Sequence, residues 1–100
     1  MASSKEYLEF ILGQLSDLEE ISHRAMMGEF ILYYKRKIIG GIYDNRLLVK
    51  SVKAASMLMP DAKLQYPYDG AKAMLFVDNV DDKAFLTELF KAIYNDTVEK

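Results

Sequence analysis

Between Ile21 and Lys50 apolar residues recur with a period of two, β-branched and aromatic side chains dominate, and turn signals interrupt the pattern every few residues. Ser22 to Met27 stops at Gly28. Phe30-Ile31-Leu32-Tyr33-Tyr34 ends in Lys35-Arg36-Lys37, three charged residues that suit a hairpin tip and disfavour burial. Ile38-Ile39-Gly40-Gly41-Ile42-Tyr43 runs into Asp44-Asn45, a pair that tolerates positive φ, and Arg46 to Lys50 returns as a further strand. A parallel crossover needs about a dozen residues or more, so connections this short force neighbouring strands to be antiparallel.

Helices are expected on both sides of this meander. Ser3-Ser4-Lys5-Glu6 reads as a capping box with Ser3 at the N-cap, and Leu8, Ile11, Leu12 and Leu15 line one face of a helix ending near Ser16 to Leu18. Ser51 is positioned to cap a short helix that Pro60 stops beyond Met59. Leu64 to Tyr68 is a short extended piece, Asp69-Gly70 turns, and Met74 to Val77 supplies a last strand. Asp81 and Asp82 open a final helix whose stripe is Phe85, Leu86, Leu89, Phe90 and Ile93. The expected fold is a two-layer α+β domain. It has an antiparallel sheet of about five strands, N-terminal and C-terminal helices, and one short middle helix.

At 100 residues with 51% hydrophobic and 28% charged side chains, residues 1–100 fit one compact domain. There is no cysteine, which excludes disulfides, thiol catalysis and zinc–thiolate sites and fits a reducing cytoplasm. No run of apolar residues is long enough to span a bilayer, and no basic segment followed by an apolar stretch opens the chain. A cytoplasmic protein with no membrane partner is expected.

The catalytic inventory is thin. His23 is the single histidine, and neighbouring Ser22 projects to the opposite face of a strand, so the two cannot act as nucleophile and base. Asp78, Asp81 and Asp82 fail the calcium-loop pattern, with Val80, Lys83 and Leu89 where an oxygen ligand, glycine and glutamate are needed. Gly40-Gly41 lies between apolar residues with no helix following, which suits a bulge or a close backbone approach better than a phosphate loop. Most of the six methionines read as fillers of irregular core space. No enzyme activity, cofactor or metal is expected.

Charge is unevenly distributed. Residues 1–34 carry a net −4, residues 35–72 a net +5 and residues 73–100 a net −3, within a total of −2. Lys35, Arg36, Lys37, Arg46, Lys50 and Lys53 therefore form a candidate surface for an acidic protein or for nucleic acid. Arg24, Tyr66 and Tyr68 form a candidate small-molecule pocket, since Tyr66-Pro67-Tyr68 places two aromatics in a loop beside a turn.

Arg24-Ala25-Met26-Met27-Gly28, followed by Leu32-Tyr33-Tyr34, the Gly40 region, Leu47-Leu48-Val49-Lys50, Tyr66-Pro67-Tyr68 and Met74 to Val80, resembles in order and spacing the TfoX amino-terminal domain family of the Sxy/TfoX competence regulators. Met27 stands where that family usually has an aromatic residue. The resemblance spans essentially the whole chain and implies a single stand-alone α+β domain with an antiparallel sheet. It also implies a regulatory role through protein contacts, with a homodimer or another protein as partner. Full-length members carry a second, carboxy-terminal domain and promote competence gene expression alongside a DNA-bound activator; a chain ending at Lys100 is expected to lack that second domain.

Overall fold

A computed structural model describes residues 3–98. The chain runs α1 (Lys5–Gln14), β1 (Ile21–Met26), β2 (Glu29–Tyr34), β3 (Lys37–Ile42), β4 (Leu47–Val49), α2 (Lys53–Leu58), β5 (Leu64–Gln65), β6 (Met74–Phe76) and α3 (Lys83–Val98). The fold is α+β, with one antiparallel sheet of six strands in the order β1-β2-β3-β4-β6-β5. The sixth strand is the Leu64-Gln65 piece, which pairs at the edge with β6.

Three hairpins build the first four strands, and each turn has positive φ at both central residues. These are Met27 and Gly28 (53° and 84°), Lys35 and Arg36 (51° and 70°), and Asp44 and Asn45 (54° and 57°). That combination matches the right-handed twist of the flanking strands, so the pairing register is set locally three times in succession. Pairing of β2 with β3 slips between Leu32 and Tyr33, leaving Ile39 as the extra residue of a bulge beside Gly40. A Cβ on Gly41 would lie 2.7 Å from both the Phe30 carbonyl oxygen and the Tyr43 ring, and one on Gly40 would collide with the backbone of Leu48 and Val49. Both glycines therefore answer to close approach within the sheet.

Alternation along the strands sends Leu32, Tyr34, Ile39, Ile42, Leu47, Val49, Leu75 and Val77 to one face, where they join Leu8, Ile11 and Leu15 of α1 and Leu86, Leu89, Phe90 and Ile93 of α3 in the core. All three helices thus cover the same face, since Ala55 of α2 is buried in this cluster too.

Several local expectations need correction. Ser4, not Ser3, caps α1, its hydroxyl accepting from the Tyr7 amide at 3.1 Å, and the helix ends at Gln14 rather than near Ser16 to Leu18. Val52 occupies the N-cap of α2, and the acceptor there is Asp96 Oδ2 from α3, 3.0 Å from the Ala54 amide, not the Ser51 hydroxyl. At α3 the Asp82 carboxylate does accept from the Phe85 amide, at 3.0 Å. Most of the methionines are not core fillers, Met59 alone of those described packing against the core cluster. Met26, Met27 and Met57 are exposed, Met59 and Met74 are half-buried, and Met1 lies outside the described residues.

Candidate functional site

The helix-free face of the sheet carries an apolar cleft. Arg24 and Met26 of β1, Ile31 and Tyr33 of β2, Ile38 and Gly41 of β3, and Leu48 of β4 share it by register. Because Gly41 has no side chain, the Tyr43 ring settles over it and is only 7% exposed. The segment between β5 and β6 then folds back over this face and brings the Tyr68 ring to 6.3 Å from that of Tyr43. Between segment and sheet lies a cleft of about 570 Å³, floored by Ile31, Ile38 and Met26 and walled by Pro67, Tyr68 and Met74.

Its polar groups are few. Among the described residues Lys50 and Lys72 are its only charged lining residues, both cations, joined by the tyrosines and Ser51. Burial, and then the neighbouring Tyr68, Glu29 and Tyr33, raise the pKa of the Tyr43 phenol above its ordinary value, so the group stays neutral at physiological pH. A hydrogen-bond donor or acceptor, not a proton-transfer base, is what this site offers.

Tyr68 lines the cleft, whereas Arg24 lines a separate shallow depression with Ser22, His23, Tyr33 and Arg36, and Tyr66 is exposed beyond β5. The three residues of the sequence-derived pocket are thus not brought into one cavity. His23 is exposed, with its ring edge-on to Phe30 at 6.2 Å.

The basic residues divide by topology. Lys35, Arg36 and Lys37 form the β2–β3 tip, and the Lys50 amide donates to the Ile39 carbonyl at 2.9 Å, so Lys50 and the following Lys53 lie at that same end of the sheet. Arg46 sits in the β3–β4 turn at the other end, where its guanidinium donates to the Tyr43 carbonyl and to Gln65 Oε1. Lys35 is itself engaged, its ammonium 5.3 Å and 5.4 Å from the ring centroids of Tyr34 and Tyr94.

Sequence reasoning missed Tyr43 as a site residue, as well as the apolar floor. The available signal was Gly41, a bare position directly opposite Ile31 on the face that the helices leave open. Among the described residues no group of three or more histidine or carboxylate side chains is arranged to hold a metal ion, and no helix is long and apolar enough to cross a membrane.

The chain is 31% identical over 84 residues to a protein of Spirochaeta aurantia described as an uncharacterized 12.7 kDa protein in the trpE 5' region; the match covers 84% of this chain and 73% of that protein. No family model and no solved structure matches.

Proposed function

We propose that this chain, which belongs to the same family as the 12.7 kDa Spirochaeta aurantia protein, is a non-enzymatic regulatory module that works by protein contact and pairs with a second copy of itself. The observation that carries the proposal is the edge strand β1. It is six residues long, exposed from Ser22 to Met26, and contains no proline, lysine or bulge to guard the sheet edge, Arg24 being its one full charge. The Lys35 amide donates to the Glu20 carbonyl at 3.0 Å, so by antiparallel alternation Ser22, Arg24 and Met26 bond to β2 while Ile21, His23 and Ala25 turn their amides and carbonyls outward.

A two-fold axis at His23 pairs these outward groups with those of a second copy and sets Arg24 opposite the second copy's Ser22, with no clash of like charge. Such a contact is isologous and closes on itself, which limits assembly to a dimer. The opposite edge offers no equivalent, since β5 is two residues long and Pro67 follows closely. The carboxylates of Glu29, Asp82 and Asp96 accept backbone amides and are committed to structure, and the TfoX resemblance supports a role in transcription or competence regulation.

Sedimentation equilibrium tests the proposal. A dimer is expected for the native chain and a monomer with unchanged far-UV circular dichroism for Ala25→Pro, which deletes one outward amide, and for His23→Lys, which opposes like charges at the axis. A native chain that stays monomeric at high concentration overturns it.

A second reading, direct nucleic-acid binding, is favoured by the gathering of Lys35, Arg36, Lys37, Lys50 and Lys53 at one sheet end. It predicts duplex affinity that falls with salt and falls further when Lys35, Arg36 and Lys37 are changed to glutamine. No binding at low salt rejects it.

A further inference from the structure

We infer that the cleft between the sheet and the β5–β6 segment is a binding site for a small amphipathic anion, an apolar body carrying a single carboxylate. This goes beyond the protein contacts proposed for β1 and depends on neither dimerisation nor nucleic acid.

Three observations converge. The first is size and lining, since about 570 Å³ lies within the range of small-molecule sites and the lining joins sheet residues Ile31 and Ile38 to Pro67 and Tyr68 of the β5–β6 segment. The second is apolar surface left in water. Met26, Ile38 and Tyr68 all border this one cleft, with exposures of 37%, 41% and 57%, and an occupant lying over them withdraws that surface from solvent. The third is charge. Among the described residues both ionised groups at the lining, Lys50 and Lys72, are positive and no aspartate or glutamate lines the cleft, Glu29 acting on Tyr43 from outside the lining with its carboxylate already accepting three hydrogen bonds, although the chain as a whole is acidic. An apolar floor with cations alone selects an apolar ligand with a negative head over a neutral or cationic one. Tyr43 is held neutral, so its hydroxyl adds a donor without adding negative charge.

Two ligand types share this chemistry, an aromatic carboxylate and a short acyl carboxylate. Amide chemical-shift titrations with 2-naphthoate and with octanoate, each run beside its neutral alcohol, distinguish them. Shifts are expected at Ile31, Ile38, Lys50 and Tyr68 for at least one carboxylate, and the stronger binder names the type. Lys50→Ala with Lys72→Ala is expected to weaken carboxylate binding about tenfold, the worth of a charge-assisted contact, and to leave the alcohols unchanged. Ile38→Glu, which adds a carboxylate at an exposed floor position, is expected to abolish carboxylate binding while preserving the amide spectrum elsewhere. The inference is overturned if neither carboxylate shifts these amides at millimolar concentration. It is equally overturned if each alcohol binds as well as its carboxylate, or if the double lysine variant binds carboxylates as the native chain does.

Discussion

Ser3 Oγ donates to Glu29 Oε1 at 2.6 Å, joining residues 26 positions apart. The same carboxylate oxygen accepts from the amides of Ser3 and Asp44, each at 3.1 Å, while Ser3 Oγ accepts from the Asn45 amide at 3.0 Å. The start of the chain is thereby tied to the β1–β2 and β3–β4 turns at once, which holds α1 over the core at the end of the sheet remote from the basic tip.

Removing this acceptor leaves the Ser3 hydroxyl and the Asp44 amide without their partner, while the Ser3 amide keeps the Gly28 carbonyl at 3.0 Å; Ser3 is buried. Glu29→Ala is expected to cost about 1–3 kcal/mol, read as a lower denaturant midpoint at unchanged slope. Ser3→Ala loses two of the hydrogen bonds but leaves the Asp44 amide served, so it is expected to cost less.

Asp96 Oδ2 provides α2 with the N-terminal acceptor that its own sequence lacks, because Val52 occupies the cap position. Asp96→Ala is expected to destabilise by about 1 kcal/mol, and hydrogen exchange should locate the loss at the Ala54 amide. Far-UV circular dichroism should change little, since α2 contributes only six residues.

The two adjacent sheet glycines separate two kinds of crowding. A methyl at Gly40 meets only backbone, of Leu48 and Val49, whereas one at Gly41 meets the Phe30 carbonyl and the Tyr43 ring. Gly40→Ala is therefore expected to be the more damaging, and Gly41→Ala to cost about 1–3 kcal/mol through overpacking. In a Tyr43→Ala background the additional cost of Gly41→Ala should shrink, a coupling that a double-mutant cycle measures.

What could be read from residues alone followed the range of the interactions. The β2–β3 and β3–β4 hairpins were legible because three charges at Lys35-Arg36-Lys37 disfavour burial and Asp44-Asn45 tolerate positive φ, and α3 was legible because Leu86, Leu89, Phe90 and Ile93 repeat on one face. The insertion of β6 between β4 and β5 was not, because it depends on Leu48 meeting Phe76 across 28 positions. Ser3 misled for the same reason. A serine followed three residues later by glutamate satisfies the capping pattern, but Glu29 outcompetes the local partner. The cleft stayed hidden because its walls come from segments whose meeting no periodicity records, and Arg24 was grouped with Tyr68 without any register to relate them.

Alkaline pH probes the two tyrosines whose folded-state pKa is raised. Burial is the first cause for both Tyr7 and Tyr43. The charge of Asp81 adds to it at Tyr7, and Tyr68, Glu29 and Tyr33 add to it at Tyr43. Raised values mean that the folded state holds the proton more tightly than the unfolded chain, whose phenols titrate near 10.0. Stability from this source is full below pH 10 and is lost as pH climbs from there through the folded-state values. Denaturant midpoints measured from pH 8 to 12 should therefore hold steady and then fall. Tyr43→Phe and Tyr7→Phe should each flatten the descent, and the double variant should flatten it most. An identical fall in all four proteins would show that the alkaline loss comes from general charge imbalance instead.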